Sequence, residues 1–196
     1  DLAQPLNLDW FFAAPDGVLP RLATVYQTDP ALFTRIIAND PGSTFAKSMK
    51  GRDPSENYNS LAWRKAENGA GTSHTNARAM ARLHGTLARG GTLNGVEILS
   101  ADRLALAQIQ TVREKDAVNG LEMRFSTGFE MNCPPATPMG PSELCFGYIG
   151  AGGSYAFADP DKKLGFGYSH NVMHQGVGPG PCGLPLVEAV MAAAYA

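Results

Sequence analysis

The residues whose types and spacing could do chemistry concentrate in "CFGYIGAGGSYAFADPDKKLGFGYSHN", residues 145–171. This stretch reads as a short strand, a glycine hinge, a second strand, a turn and a third strand. Gly147, Gly150, Gly152 and Gly153 surround Ala151, with the polar aromatic Tyr148 just upstream. A glycine at 150 removes a Cβ, so a substrate carbonyl could lie against the strand. A backbone N–H fixed beside it could then stabilise the oxyanion of an acyl transfer, a contribution of about 3 kcal/mol per donor. Taken alone, the same glycines describe a β-bulge without chemistry.

Other motifs give nothing. There is no G-x-x-x-x-G-K-[ST] loop, and glycines 150, 152 and 153 do not make G-x-G-x-x-G. They stand between two strands, so no helix N-terminus waits for a phosphate. No G-x-S-x-G elbow occurs. His170 and His174 have a spacing that suits a metal only on a helix, whereas His170 ends a strand and no acidic third ligand stands nearby. The 3 cysteines, Cys133, Cys145 and Cys182, have neither metal-ligand spacing nor the even count of a disulfide framework. No metal and no cofactor are expected.

The elements that must position the hinge can be read from the rest of the 196 residues, a length that suits one domain with a real core. "LPRLATVYQ" (19–27) has helical spacing. In 28–39, Asp29 can cap and Pro30 suits a first helical position, with Leu32, Phe33, Ile36 and Ile37 on one stripe. From Asp40 to Gly71 the periodicity dissolves into what reads as a surface excursion or cleft wall. Residues 74–91 predict the strongest helix, its face formed by Ala77, Met80, Ala81, His84, Leu87 and Ala88 and its end marked by Gly90–Gly91. Asn94–Gly95 predicts a hairpin, and Ser100 caps a helix over 101–110. "LEMRFSTGFEMN" alternates as a half-buried strand. In 164–170, Gly165, Gly167 and Ser169 leave a shallow face, on which the C-terminal helix (184–195) is the expected occupant. Helices first, an antiparallel sheet last and a closing helix make an α+β organisation.

Composition excludes several partners. The net charge of −2 and the lack of any Lys/Arg run argue against nucleic acid and an anionic membrane surface. The longest apolar stretch, "LPLVEAVMAAAYA", is too short to span a bilayer and carries Glu188. With no export signal visible, the cytoplasm is the expected compartment.

Three stretches in order resemble the C-terminal half of the serine β-lactamase-like family, which holds class C β-lactamases, penicillin-binding proteins and, nearest in pattern, family VIII carboxylesterases. They are "QPLNLDWFFAAP" (4–15), "GTSHTNARAMARLHGTLARGGTLNGVEILS" (71–100) and the terminal hairpin (146–171). The resemblance implies a β-lactamase/transpeptidase-like α+β fold, with an antiparallel sheet packed against helices, of which this chain is the C-terminal portion. Residues 1–72 would supply helices and the cleft-wall excursion, 73–110 a helix, hairpin and helix, and 121–196 the antiparallel strands and terminal helix.

By the same resemblance, the family's third motif falls on Tyr148, Ile149 and Gly150, and the backbone N–H of Ala151 becomes the oxyanion donor. Tyr148, Gly150 and Ala151 are then the catalytic residues of this chain. Ile149, Gly152, Asn68, Gly71 and Trp63 are its candidate substrate-binding residues. Trp63 reads equally as a core aromatic, and Tyr148 as a cross-strand packing residue. Where β-lactamases carry a lysine, Tyr148 cannot pair with a substrate carboxylate, which favours an uncharged ester.

The family's nucleophile comes from S-x-x-K, and its proton relay from Y-x-N or a close variant. Neither occurs here: Ser43 leads to Ala46, Ser48 to Gly51, Tyr58 to Ser60 and Tyr168 to His170. The nearest imitation, Thr44–Lys47, sits in the irregular stretch with no helix predicted to project it. The expected partner is therefore an N-terminal portion of the same protein carrying both motifs, and the expected substrate a small ester. This chain alone would be inactive. The alternatives are a catalytically silent scaffold or binding module, and a β-lactam or amide hydrolase or acyltransferase on the same fold.

Overall fold

The computed structural model of the chain describes residues 2–51, 57–176 and 178–196. It begins with β1 (Phe11–Phe12), a single 3-10 turn at Leu19–Arg21, and β2 (Tyr26–Gln27). The helical spacing over 19–27 is thus overridden by distant hydrogen bonds. The Asn59 carboxamide brackets Val25, accepting from its N–H and donating to its carbonyl at 2.8 Å each. The Tyr26 N–H donates to the Asn171 carbonyl at 2.7 Å. Such non-local pairing outweighs a weak local propensity.

Helix α1 (Leu32–Asn39) starts just after Pro30. Asp29 caps it from outside, accepting the Ala31 N–H at 3.2 Å and gripping the Arg35 guanidinium. Its apolar stripe stays partly uncovered, with Ile36 39% exposed. The stretch read as irregular contains two one-turn helices, α2 (Thr44–Ser48) and α3 (Leu61–Lys65), capped by Ser43 and Ser60. Thr44 and Lys47 therefore do share a helical turn, and both are exposed. Residues 52–56 of that stretch lie outside the described residues.

Strand β3 (Ser73–His74) pairs antiparallel with β1, and α4 (Ala77–Ala88) follows. Asn76 caps α4 by accepting the Ala79 N–H at 2.9 Å. Gly90 and Gly91, at φ 82° and 88°, end it. Its buried side includes Met80, His84, Leu87 and Ala88. The His84 Nδ1–H donates to the Met80 carbonyl at 2.9 Å, and burial pushes the imidazole pKa down, so this histidine is a neutral core residue. Strands β4 (Thr92–Leu93) and β5 (Val96–Glu97) form the expected hairpin, Asn94 and Gly95 both adopting positive φ. Helix α5 (Ala101–Ala107) follows, capped by Ser100.

The chain then runs through β6 (Gln110–Lys115), β7 (Glu122–Ser126), β8 (Glu130–Met131), β9 (Phe146–Ile149), β10 (Tyr155–Asp159) and β11 (Leu164–Tyr168). These build a six-stranded sheet in the order β11-β10-β9-β8-β7-β6, with every neighbouring pair antiparallel. Two details depart from the sequence expectation. The helix over 101–110 stops at Ala107 and gives way to β6, and the strand predicted over 121–132 is two strands folded at Gly128, φ 94°. Strand β12 (Val172–Met173) pairs parallel with β2, and α6 (Gly180–Tyr195) closes the chain.

Register decides which helix covers which face. Ile149 opposes Tyr155, and Phe157 opposes Phe166, so these share a face. There they meet Val187 and Met191 of α6, together with Met139 and Cys145. Ala156, Ala158, Gly165 and Gly167 fall on the other face, and the helix against those glycines is α4 rather than the C-terminal one. A methyl group on Gly165 would sit 2.1 Å from the Gly85 nitrogen and 2.2 Å from the Ala81 carbonyl oxygen. The small residues Ala77, Ala81 and Gly85, spaced four apart, let the helix and strand backbones touch. The aromatic face needed a partner with side chains, and α6 supplies Val187 and Met191.

Candidate functional site

Strand β9, paired with β10 on one side and β8 on the other, carries the candidate residues to its own end, where Gly150–Gly153 turn the chain into β10. Gly152 and Gly153 hold φ of 84° and 107°, values that favour glycine. The space is also closed to a side chain: a Cβ on Gly152 would lie 2.6 Å from the Met173 Cε, and one on Gly153 2.5 Å from the His174 Cδ2.

Hydrogen bonds then separate one amide from its neighbours. The Gly150 N–H donates to the Ser154 carbonyl at 2.8 Å, the Gly152 N–H to the Gly176 carbonyl at 3.2 Å, and the Gly153 N–H to the Gly150 carbonyl at 3.1 Å. The Ala151 N–H donates to no backbone carbonyl among the described residues. Ala151 is exposed and borders a concavity shared with Thr28, Pro30, Leu32, Phe33 and Met173. The wall facing this turn is therefore the entry to α1, held in place by the parallel β2–β12 pair. Sequence reasoning took Asp29–Pro30 only as a helix start, and nothing local signals that residues 27–33 and 173–176 enclose the hinge.

Tyr148 stands opposite Ala156 of β10 and is 60% exposed, and no ring packs against it among the described residues. Partial desolvation, then the charges of Glu130 and Asp116, push its phenol pKa up, which keeps it a neutral donor. Ile149 differs from its expected substrate-binding place. Its side chain is 2% exposed in the core under α6, because alternation along β9 turns it away from Tyr148. Gly152 is buried and lines the concavity.

Trp63, Asn68 and Gly71 form a separate group. The Asn68 carbonyl accepts from the Gly71 and Thr72 N–H groups at 3.1 and 3.0 Å, and its side-chain oxygen accepts from the Ala70 N–H at 2.9 Å. Trp63 packs edge-on to Tyr58, ring centroids 5.1 Å apart, and lies 3.2 Å from where a Gly71 Cβ would be. No hydrogen bond among the described residues joins this turn to residues 148–153, and none of the three borders the concavity.

His170 and His174 both approach Gly153. The two His174 ring nitrogens lie 2.8 Å from the Gln175 and Gly178 carbonyl oxygens, which occupies them away from any metal. No group of three metal-ligating side chains occurs among the described residues. No helix among them is long and apolar enough to cross a membrane.

One buried group escaped sequence reasoning. Glu130, 4% exposed at the end of β8, accepts the Ile149 N–H at 3.2 Å. Burial pushes its pKa up to about 7, against a smaller lowering by the Ile149 hydrogen bond. A lone acid between Phe129 and Met131 was the available signal.

The Beta-lactamase family model matches residues 2–180. The curated Esterase/beta-lactamase LipL of Mycobacterium tuberculosis is 30% identical over 109 residues, 54% of this chain and 23% of that protein. A penicillin-binding protein homolog from Caulobacter crescentus superposes with a TM-score of 0.81 at 29% identity, over 98% of this chain and 50% of the other. A family VIII carboxylesterase gives 0.73 at 32% identity, over 95% and 47%. EstA from Arthrobacter nitroguajacolicus Rue61a, at 24% identity and a TM-score of 0.80 over 98% and 51%, shares the fold. The chain thus spans about half the length of these solved structures and 23% of the curated relative. Matched over nearly its whole length, with the antiparallel sheet and flanking helices of these relatives, the chain belongs to the β-lactamase family.

Proposed function

We propose that this chain is the C-terminal portion of a serine carboxylesterase that works through an acyl-serine intermediate. The observation that carries the reading is the Ala151 N–H: exposed at a concavity, it donates to no backbone carbonyl among the described residues, while the amides of Gly150, Gly152 and Gly153 are engaged. The esterase and carboxylesterase names among the relatives support the substrate class.

In this proposal a serine hydroxyl on an N-terminal portion, which carries S-x-x-K and a Y-x-N-type motif, attacks the ester carbonyl carbon. A Lys/Tyr pair on that portion takes the hydroxyl proton. Negative charge collects on the carbonyl oxygen, which lies against Gly150 and accepts from the Ala151 N–H. Collapse expels the alcohol, which takes up the proton, and water then releases the carboxylic acid and restores the serine. Tyr148, an exposed neutral donor three residues before Ala151, suits an ester without a carboxylate and leaves a β-lactam's anionic group without a counter-charge. Thr28, Pro30, Leu32, Phe33 and Met173 offer a mostly apolar wall to the group beside the carbonyl.

Labelling of the full-length protein with a fluorophosphonate, followed by peptide mapping, tests this. The adduct is expected on a serine outside residues 1–196, together with turnover of p-nitrophenyl butyrate. An adduct on a serine of this chain overturns the assignment. Neither adduct nor turnover would mark a silent member of the family, and nitrocefin turnover in place of ester turnover would move the substrate to β-lactams.

A further inference from the structure

Strand β8 is two residues long, and Glu130 opposite Gly147 is its last pairing with β9. The Gly150 N–H faces β10, through its bond to Ser154, so by alternation the Ile149 N–H faces the β8 side. No strand remains there to receive it, because the chain has already turned at Gly128. The Glu130 carboxyl fills that place, its Oε2 3.2 Å from the Ile149 nitrogen.

We propose that Glu130 is a positioning residue, whose carboxyl braces the last β9 amide and so sets where the Gly150–Ala151 backbone presents its N–H. As a positioning role this rests on the esterase reading above, although the brace itself is a feature of the fold. A brace here matters because a displacement of about 1 Å at an oxyanion donor costs about a hundredfold in rate. The carboxyl can do this in either protonation state, since both keep an acceptor oxygen, but the ionised form makes the stronger, charge-assisted bond.

The surroundings allow the group to titrate. Tyr148 on β9 and Tyr155 on β10 are the titratable groups facing it, both phenols pushed up in part by its charge. Asp116, between β6 and β7, adds negative charge near Tyr148. Across the ladder β7 presents Phe125, and α6 brings Val187 and Met191 to the core on this face, none of them charged. No ion pair reaches Glu130 among the described residues. The carboxyl pKa of about 7 that follows from its burial puts the change of state near neutral pH.

The test uses the full-length protein with 15N-labelled isoleucine, as wild type, Glu130→Gln and Glu130→Ala. In the wild type the Ile149 amide proton should move downfield as pH rises, with a midpoint near about 7. In Glu130→Gln, which keeps an acceptor oxygen, the titration should vanish while exchange of the Ile149 amide stays slow and kcat remains within about threefold. In Glu130→Ala, Ile149 exchange should accelerate about tenfold or more, and kcat should fall about ten- to a hundredfold with KM little changed. An Ile149 amide that does not titrate, that titrates equally in Glu130→Gln, or that exchanges at the wild-type rate in Glu130→Ala overturns the brace. If the protein turns over no ester at all, the esterase reading fails separately, and titration and exchange still decide the brace.

Discussion

Gly85 and Gly165 touch each other across the α4–β11 contact, yet adding the same methyl group should act oppositely at the two sites. On Gly85 the new Cβ would meet the Gly165 nitrogen at 3.7 Å and its Cα at 3.8 Å, ordinary van der Waals distances. Gly85→Ala then mainly replaces a poor helix former by the best one, worth about 0.5–1 kcal/mol of added stability. On Gly165 the Cβ would lie 2.1 Å from the Gly85 nitrogen, 2.2 Å from the Ala81 oxygen and 2.5 Å from the Gly85 Cα. All three are backbone atoms of one helix, so no rotamer relieves them. Contact near 3.5 Å returns only if α4 moves out by about 1.4 Å, which loosens Met80, Leu87 and Ala88 together. Overpacking of this kind costs about 3 kcal/mol. Urea unfolding of the full-length protein should therefore show Gly85→Ala at or above wild type and Gly165→Ala well below it, about 4 kcal/mol apart. Equal midpoints, or the reverse order, would mean that α4 does not lie against β11 as described.

Three further outcomes follow from named groups. Burial raises the Glu130 pKa from 4.5 to about 7, so its contribution to stability is fully present below pH about 4.5 and is lost as pH rises through about 7. Relative to wild type, Glu130→Gln should gain up to about 3 kcal/mol between pH 4.5 and 8, since each tenfold change in a protonation equilibrium is worth about 1.4 kcal/mol. A stability difference constant across that range removes the argument. For the thiols, a maleimide should label exposed Cys182 in the native protein and spare Cys133 and Cys145, both buried, with burial also pushing the Cys145 thiol pKa up. Fast native labelling of Cys145 would contradict its place under α6. Replacing the Ala151 amide by an ester, with lactate in place of alanine, deletes the N–H and keeps the methyl. Ester turnover should fall about a hundred- to a thousandfold with folding unchanged, and an unchanged kcat would show that this N–H is not an oxyanion donor.

Which features could be read from the sequence follows from how local their causes are. Ser100 caps its helix where it was expected, because a cap needs only the next three residues. The Asn94–Gly95 hairpin and the Asp159–Lys162 turn are likewise encoded on the spot, the Asp159 carboxylate accepting the Asp161 and Lys162 N–H groups at 3.0 and 3.2 Å. Residues 19–27 misled because their extended form is imposed by Asn59 and Asn171, which are remote in sequence. The glycine face of β11 was recognised as a helix seat, yet the choice between α4 and α6 depends on small residues at 77, 81 and 85 meeting it in three dimensions. Trp63 lies against Gly71 and their turn closes on itself through Asn68 and Thr72, contacts that no local pattern announces.

The hinge itself shows why a local motif can name a site without describing it. Residues 148–153 determine which amides can be free, because positive φ at Gly152 and Gly153 turns the chain back on itself and commits the Gly153 N–H to Gly150. They do not determine which amide stays free. The Gly152 N–H is taken by Gly176, and the Gly152 carbonyl accepts from the His174 N–H at 3.1 Å, so the loop after β12 makes the selection. That loop is held against β2 by the parallel pairing of Val172 with Tyr26 and Met173 with Gln27. The same pairing brings Thr28 and Pro30 to the edge of the concavity. Donor and wall are thus set by one long-range contact, and weakening the β2–β12 pair should disturb both the exposure of the Ala151 amide and the surface that would hold a substrate against it.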